Sequence, residues 1–319
     1  MKMKKEIMFA AAVLAIIGLL VASRSLEDAS FKPNRVRIAT GGPSGVYFKY
    51  GEALAGIIGD RTKSDVTVIP SGGSVENVRL LRENRAELAF VQNDIMTYAY
   101  DGADIFSADG PFKDFSAVAG LYPEACQIVA RSDVKDIHDL KSRKVSIGDK
   151  GSGTELNAIQ ILSAYGMSET DIDADNLSFG ASVTALREGK IDAFFCTAGV
   201  PTPAVSELAA SGEIRILGIG AAHIASITGR YPYYSRHTIP AGVYPNLSDE
   251  IETVAVRAAL VASNRISADD VFVITKLLFE NKDDIAAICE EANGLDRESA
   301  VNGIPIPLHA GAEKFYFGK

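Results

Sequence analysis

The sequence has little positive charge. Its 319 residues include 32 Lys and Arg against 41 Asp and Glu, which gives a formal net charge of −9 at pH 7. Proteins that bind nucleic acid rely on Lys and Arg to neutralise phosphates. The composition therefore argues against a nucleic-acid partner, and an anionic ligand would have to be attracted by a local feature of the fold.

Cysteine is scarce as well. Cys126, Cys196 and Cys289 are odd in number and far apart, which gives neither a disulfide framework nor a metal-binding pattern. We interpret all three as small buried residues. Since no cysteine follows the apolar N-terminal run, the sequence also argues against a lipoprotein.

Familiar catalytic motifs are missing. The chain contains no Gly-x-Ser-x-Gly, His-Glu-x-x-His or Cys-x-x-Cys, and its four histidines are scattered. Asp171, Asp173 and Asp175 alternate like the start of a calcium loop, but Asn176 stands where such a loop needs glycine. We therefore interpret this stretch as a solvated acidic loop, and we expect no enzymatic activity, no metal and no cofactor.

Long apolar runs are confined to the N-terminus. A basic segment at 1–5 precedes the sixteen apolar residues Ile7 to Ala22, and small residues suited to cleavage follow. A membrane-spanning helix needs roughly 20 such residues. We predict a signal peptide at 1–23 and a periplasmic protein, with retention by an uncleaved N-terminal anchor as the alternative.

Strands and helices alternate from about residue 33 onward. Short apolar runs alternate with apolar stripes at three-to-four spacing, which predicts parallel sheets covered by helices on both faces. Candidate strands lie at 36–40, 66–70, 88–92, 117–122, 145–148, 191–197 and 214–218, and candidate helices near 46–59, 74–84, 154–165, 182–189 and 202–211.

The second half of the chain repeats the pattern of the first. "LRENRAELAFVQND" at 81–94 matches "LREGKIDAFFCTAG" at 186–199, and "RIATGGPSGVYF" matches "VSIGDKGSGTEL". The partners are roughly 105–110 residues apart, which is too long for a solenoid repeat and suits a duplicated domain. We therefore predict two similar α/β lobes.

Three Gly- and Ser-rich loops precede predicted helices, at 41–45, 71–74 and 151–154. In open parallel sheets, ligands bind where strands end and helices begin, and the free backbone N–H groups there favour an anion. Any one loop alone is better explained as a simple turn and helix cap, but three of them in duplicated lobes indicate a shared anionic ligand. Neither the P-loop nor the dinucleotide pattern is present, so we expect a carboxylate.

Four segments carry a resemblance to a known family. "RIATGGPSGVYFKYGEALA", "SGGSVENVRLLRENRAELAFVQND", "GLYPEACQIVAR" and "GDKGSGTELNAIQIL" resemble, in order, the solute-binding subunits of tripartite ATP-independent periplasmic (TRAP) transporters of the TAXI group. The resemblance runs from about residue 35 to residue 263. It implies an α/β, type II periplasmic-binding-protein fold, in which two Rossmann-like lobes with mainly parallel sheets are joined by crossing strands. We expect lobe I at 33–125 plus 251–319 and lobe II at 126–250.

The resemblance also implies ligand contacts between the lobes. Lobe I would contribute Thr40, Gly41, Gly42, Ser44, Tyr47, Ser71, Ser74 and Gln92; lobe II would contribute Ser152, Gly153, Thr154, Thr197, Ala198 and Gly199; and the crossing segment would contribute Tyr122 and Glu124. Three of these residues have a second interpretation, because Tyr47 could simply pack, Gln92 could cap a helix and Glu124 could form a hinge salt bridge.

The expected function is that of a receptor. The resemblance implies that a small anionic solute, glutamate or a dicarboxylate such as 2-oxoglutarate, is captured between the lobes and delivered to a membrane permease of the TRAP type. The alternative is a periplasmic sensor of the same fold that signals ligand occupancy to a membrane protein.

Overall fold

The computed structural model describes residues 33–211 and 214–318, which form one ten-stranded sheet with helices packed on its faces. The predicted signal peptide lies outside these residues. Within the described ranges, no helix combines the length and apolar character needed to cross a membrane.

The elements are named in chain order. The strands are β1 Arg35–Ala39, β2 Asp65–Ile69, β3 Leu88–Gln92, β4 Phe115–Arg131, β5 Lys144–Ser146, β6 Asp173–Asp175, β7 Ala193–Ala198, β8 Ile214–Leu217, β9 Ser235–Ile239 and β10 Ile251–Ser263. The helices are α1 Val46–Thr62, α2 Ser74–Arg82, α3 Asn93–Asp101, α4 Gly153–Ala164, α5 Phe179–Arg187, α6 Pro203–Ala209, α7 Ala221–Arg230, α8 Ala268–Glu280, α9 Lys282–Ile288 and α10 Ala310–Phe317.

The sheet consists of two similar halves. Its strand order is β2-β1-β3-β10-β4-β7-β5-β6, with β8 beside β4 and β9 beside β10. β1 is parallel to β2 and β3 in one half, and β5 is parallel to β6 and β7 in the other. We call the half built on β1–β3 lobe I and the half built on β5–β8 lobe II. The predicted α/β fold, with two mainly parallel lobes joined by crossing strands, is confirmed.

Two long antiparallel strands link the lobes. β4 has 17 residues and β10 has 13, and their pairing runs from Ala255 opposite Ala125 to Ser263 opposite Phe115. The register shifts between Arg257 and Ala259, an irregularity of the kind that bends a strand. Because both strands continue through both lobes, the predicted boundaries at 125/126 and 250/251 stay predictions.

Several elements differ from the sequence-based expectation. The strand predicted at 117–122 continues to Arg131. The helices α3, α7, α8 and α10 and the strands β9 and β10 had no predicted counterpart. β4 and β10 are buried along most of their length, so they lack the alternating pattern that marks a half-exposed strand. The acidic loop predicted at 171–176 contains β6, whose backbone pairs with β5 while its side chains stay exposed. The three cysteines are buried, as interpreted.

Close packing of α1 on the sheet depends on Gly51. A Cβ atom at this position would lie 2.5 Å from Thr40 Cγ2 and 3.5 Å from the Phe90 ring. Thr40 is fully buried and its hydroxyl donates to the Ile69 carbonyl oxygen at 3.0 Å, so turning its side chain away from Gly51 would break this hydrogen bond. The absence of a side chain at Gly51 therefore sets how closely α1 approaches β1.

We predict that Gly51→Ala destabilises the protein by about 1–3 kcal/mol, since the added methyl group overpacks the interface. Gly56→Ala is the matched control, because Gly56 lies on the same helix with nothing within 4 Å of its added Cβ. It should stabilise the protein by about 0.5–1 kcal/mol through helix propensity. Urea denaturation of both variants measures the difference, and equal effects would contradict this description of the packing.

Candidate ligand-binding cleft

A cleft between the lobes is lined by the loops that lead into four helices. Loops before α1 and α2 come from lobe I, loops before α4 and α5 come from lobe II, and the ends of β3 and β7 and the middle of β4 complete its walls. Parallel β-α units place all these helix N-termini at the same edge of the sheet. The cleft therefore lies where sequence reasoning expected a ligand.

Most of the predicted contact residues line this cleft. They are Gly41, Gly42, Ser44, Tyr47, Ser74, Gln92, Glu124, Ser152, Gly153, Thr154, Thr197 and Ala198. The fold brings them together from six segments of the chain. Their role in binding a ligand stays a prediction.

Four predicted residues lie behind the cleft wall. The Thr40 hydroxyl donates a hydrogen bond to the Ile69 carbonyl oxygen, and the Ser71 hydroxyl donates one to the Thr40 carbonyl oxygen at 2.8 Å. The ring of Tyr122 is buried and stacks on that of Tyr50, with 6.0 Å between centroids. Gly199 accepts a hydrogen bond from Thr202 through its carbonyl oxygen. These four residues lie beneath the cleft loops and do not reach the cleft surface.

One cleft segment was not predicted. Ser178, Phe179 and Gly180 line the lobe II side, and the Phe179 ring lies 3.7 Å from where a Cβ on Gly45 of lobe I would stand. This segment occupies the position in lobe II that Gly73 and Ser74 occupy in lobe I. The internal repeat, with its offset of roughly 105 residues, was the signal that could have found it. Other lining residues outside the prediction are Pro43, Gly45, Val46, Gly72, Gly73 and Asp149.

The helix starts differ in how they are capped. Gly45 and Gly73 are the N-caps of α1 and α2, so no side chain accepts a hydrogen bond from the first turns of these helices. Ser152 and Ser178 cap α4 and α5, each accepting one backbone N–H through its hydroxyl. Uncapped first-turn N–H groups and the positive ends of helix dipoles favour a negative group in the cleft.

The cleft contains carboxyl groups and no cation. Among the lining residues within the described part of the chain there is no Lys, Arg or His, whereas Glu124 and Asp149 are both present. Burial raises the pKa of the Glu124 carboxyl well above its ordinary value, and the charge of Asp94 adds to this rise. Burial likewise raises the pKa of Asp149. Helix N-termini are therefore the source of positive potential here.

Among the residues that the structure describes, Glu124 has a tyrosine and no basic residue as its hydrogen-bond partner. It is 2% exposed, and the Tyr47 hydroxyl donates to its Oε2 atom at 2.7 Å. The hinge salt bridge considered for Glu124 is therefore wrong for this structure. The Tyr47 ring also packs, with its centroid 5.3 Å from that of Phe90. Tyr47 therefore both packs in the core and lines the cleft.

Gln92 brings an unused acceptor to the same place. It is the N-cap residue of α3, but its side chain makes no capping hydrogen bond. Its amide oxygen is buried without a hydrogen-bond partner among the described residues, while its amide group neighbours Glu124. A buried acceptor without a donor is costly, so Gln92 and Glu124 together point to a ligand that supplies hydrogen-bond donors.

The two lobes touch across the cleft. Glu76 donates its backbone N–H to the Gly151 carbonyl oxygen, and Ala204 donates to that of Ser44, both at 3.3 Å. A Cβ on Gly153 would stand 1.8 Å from the Gln92 amide oxygen. The structure is therefore a closed arrangement in which α4 of lobe II sits directly against β3 of lobe I.

Residues 38–318 match the model of the NMT1-like family. The chain belongs to the NMT1-like family. Its fold is the α/β fold of periplasmic binding proteins.

Solved structures similar to this NMT1-like protein share its fold. The alkanesulfonate-binding protein SsuA from Xanthomonas axonopodis pv. citri, bound to MOPS, is 18% identical over 90% of this chain and 84% of its own, with a TM-score of 0.53. PhnD1 from Prochlorococcus marinus, in complex with methylphosphonate, is 13% identical over 82% of this chain and 91% of its own, also with a TM-score of 0.53. A phosphonate-transporter binding protein from Pseudomonas aeruginosa is 10% identical over 82% and 79%, with a TM-score of 0.53. At these identities the likeness concerns the fold alone.

We predict that Glu124→Gln makes the stability of this NMT1-like protein less dependent on pH. The pKa of Glu124 is higher in the folded protein than the ordinary 4.5 of the unfolded chain, so folding favours the protonated form. The stabilisation that this proton gives is complete below about pH 4.5 and is lost as pH rises through the folded pKa. A glutamine at this position is neutral at every pH, so the variant does not lose this stabilisation as pH rises.

The measurement is thermal unfolding from about pH 5 to about pH 8. The melting temperature of Glu124→Gln should rise relative to that of the wild type as pH increases. Glu207→Gln, which changes an exposed carboxyl group, is the matched control and should follow the wild type. A constant difference between Glu124→Gln and the wild type would contradict the assignment of Glu124 as a protonated buried acid.

Proposed function

We propose that this protein is an extracytoplasmic solute receptor that captures a small carboxylate-bearing ligand between its lobes and delivers it to a TRAP-type permease. The observation that carries the proposal is the convergence of four helix N-termini, two from each lobe, on one cleft. A ligand carboxylate there accepts backbone N–H groups in charge-assisted hydrogen bonds and needs no arginine.

The fold neighbours support an anionic ligand. SsuA is bound to MOPS, which carries a sulfonate group, and PhnD1 is bound to methylphosphonate. Both ligands are small anions held by proteins with this two-lobed fold. In the present chain the uncapped starts of α1 and α2 and the absence of a lining cation within the described residues favour an anion recognised mainly through backbone groups.

The carboxyl side of the cleft favours glutamate over 2-oxoglutarate. Glu124 and the amide oxygen of Gln92 are acceptors at one place in the cleft. The ammonium group of an amino acid donates three hydrogen bonds, and its positive charge favours ionisation of the buried Glu124 carboxyl when it binds. The keto group of 2-oxoglutarate only accepts hydrogen bonds. Glutamate therefore fits both parts of the cleft, its carboxylates at the helix N-termini and its ammonium group at Glu124.

Capture follows from closure of the lobes. An anion bound to one lobe of an open cleft contacts two of the helix N-termini, and closure about β4 and β10 brings the other two to it. Only the closed form satisfies all of its charge, so the ligand shifts the population toward that form. Reopening at the permease releases the ligand.

The proposed delivery to a TRAP permease rests on the four sequence motifs alone. The fold neighbours do not favour it, because they include a component of a phosphonate ABC transporter. Neighbouring genes for a large ion-coupled permease would support the proposal. A neighbouring transport ATPase would replace the TRAP assignment with an ABC one, and a neighbouring histidine kinase would favour the sensor.

We predict that glutamate stabilises the ligand-free protein, and that Glu124→Gln reduces this effect selectively. At a hundred times its Kd, a ligand stabilises by about 2.7 kcal/mol. The variant should bind glutamate at least about ten-fold more weakly, because Glu124 ionises when the ammonium group binds and a glutamine side chain cannot supply that counter-charge. It should bind 2-oxoglutarate as well as the wild type does. Thermal shifts and titration calorimetry with amino acids, dicarboxylates and oxoacids measure both effects.

Two results of this panel would count against the ligand assignment. No shift with any small carboxylate would remove the proposed ligand class. A shift with 2-oxoglutarate alone, unaffected by Glu124→Gln, would keep the receptor and replace glutamate by a dicarboxylate.

We also predict that Gly153→Ala weakens ligand binding without unfolding the protein. The added methyl group would meet the Gln92 amide oxygen of the opposite lobe, so it opposes closure more than it disturbs either lobe. Gly229→Ala is the control, because Gly229 lies in a helix of lobe II with nothing within 4 Å of its added Cβ. Calorimetry should show weaker binding only for Gly153→Ala, and equal Kd values for the two variants would contradict the closed geometry.

A further inference from the structure

A buried polar cluster joins the lobes outside the cleft. Asn157 of α4 donates from Nδ2 to Asp94 Oδ2 of α3 at 3.0 Å, and Gln160 of α4 donates to the Tyr98 hydroxyl of α3 at 3.5 Å. The Tyr234 hydroxyl accepts from Asn157 and donates to Gln160, both at 2.7 Å. Asp94 and Tyr98 belong to lobe I, and the other three residues belong to lobe II. We call these five residues the inter-lobe cluster.

Asp94 is an unusual residue to bury at a boundary between lobes. It is fully buried, and its Oδ1 atom accepts the backbone N–H of Ile95 at 2.8 Å. Burial raises its pKa to about 6, so at neutral pH the closed form holds a desolvated negative charge. Asn157 is the side-chain donor that the cluster offers to this charge, and the Asn157 Oδ1 atom is itself buried without a partner among the described residues.

Asp94 and Asn157 lie within about one helical turn of the cleft lining. α3 begins directly after Gln92, and α4 begins at Gly153, and both residues line the cleft. Asp94 and Asn157 follow on the same two helices and are absent from the lining. A ligand that draws the starts of α3 and α4 together therefore also brings Asp94 and Asn157 into contact.

We propose that Asp94 and Asn157 form a latch that stabilises the closed arrangement and so sets ligand affinity without touching the ligand. The inference rests on the proposed opening and closing of the lobes. In an open form water solvates the Asp94 carboxylate, whereas in the closed form only protein groups do so, and removal of Asn157 leaves the charge buried without its side-chain donor. Apparent affinity scales with the fraction of protein able to close.

The test measures the distance between the lobes in the ligand-free protein. Spin labels are placed on cysteines introduced at the exposed positions Glu83 of lobe I and Glu169 of lobe II; the native cysteines are buried and are not labelled. We expect Asn157→Ala to lower the ratio of closed to open protein about ten-fold. If Asn157→Ala fails to fold, as judged by circular dichroism, Asn157→Ser takes its place.

Two controls separate a latch from a general structural role. Asn281→Ala removes a buried asparagine whose partners, Arg61 and Leu277, lie within lobe I, and it should leave the distance distribution unchanged. In an Asp94→Ala background, Asn157→Ala should have no further effect on closure, because its partner is gone. An unchanged distance in Asn157→Ala, or an equal change with and without Asp94, would overturn the latch. The spin labels report closure in the ligand-free protein. The latch can therefore be tested even if no ligand of the panel binds, so its failure is distinguishable from failure of the proposed function.

Discussion

The first backbone N–H groups of an α-helix have no acceptor inside the helix, and in this protein four helices present such groups to one cleft. Two of these helices have a glycine N-cap, and two use a serine that accepts only one N–H. The parallel β-α repeat explains why the four ends meet, since every helix starts at the same edge of the sheet. A net charge of −9 is compatible with anion binding because the attraction is local and comes from the backbone.

The two crossing strands, β4 and β10, link the cleft to the opening and closing of the lobes that we propose. β4 carries Glu124 into the cleft close to the point where its pairing with β10 changes register. The same strand therefore contributes a buried carboxyl group to the site and forms half of the link about which we propose that the lobes open. Tyr47 holds that carboxyl group from lobe I. The strand that carries Glu124 into the cleft is thus also one of the two strands that link the lobes. Asp94 and Asn157 form a second contact between the lobes, within about one helical turn of the cleft lining.

Much of this architecture could be predicted from the sequence, because its signals are local. Strand–loop–helix units have clear periodicity, and the duplicated "LRE" segments and Gly/Ser loops indicated two lobes and the cleft loops. β4 and β10 were harder to predict, since strands buried on both faces lose their alternation. Thr40 and Ser71 were expected in the cleft, but their hydroxyls bond to neighbouring backbone. The pairing of Asp94 with Asn157 depends on residues 63 positions apart, which no local pattern reveals.

The most direct test of the central claim is a crystal structure of the protein grown with glutamate. We predict that a ligand carboxylate lies within hydrogen-bond distance of backbone N–H groups in the first turns of helices from both lobes, with the ammonium group against Glu124 and Gln92. A ligand whose carboxylates face bulk solvent or a lysine or arginine side chain would contradict recognition by helix N-termini.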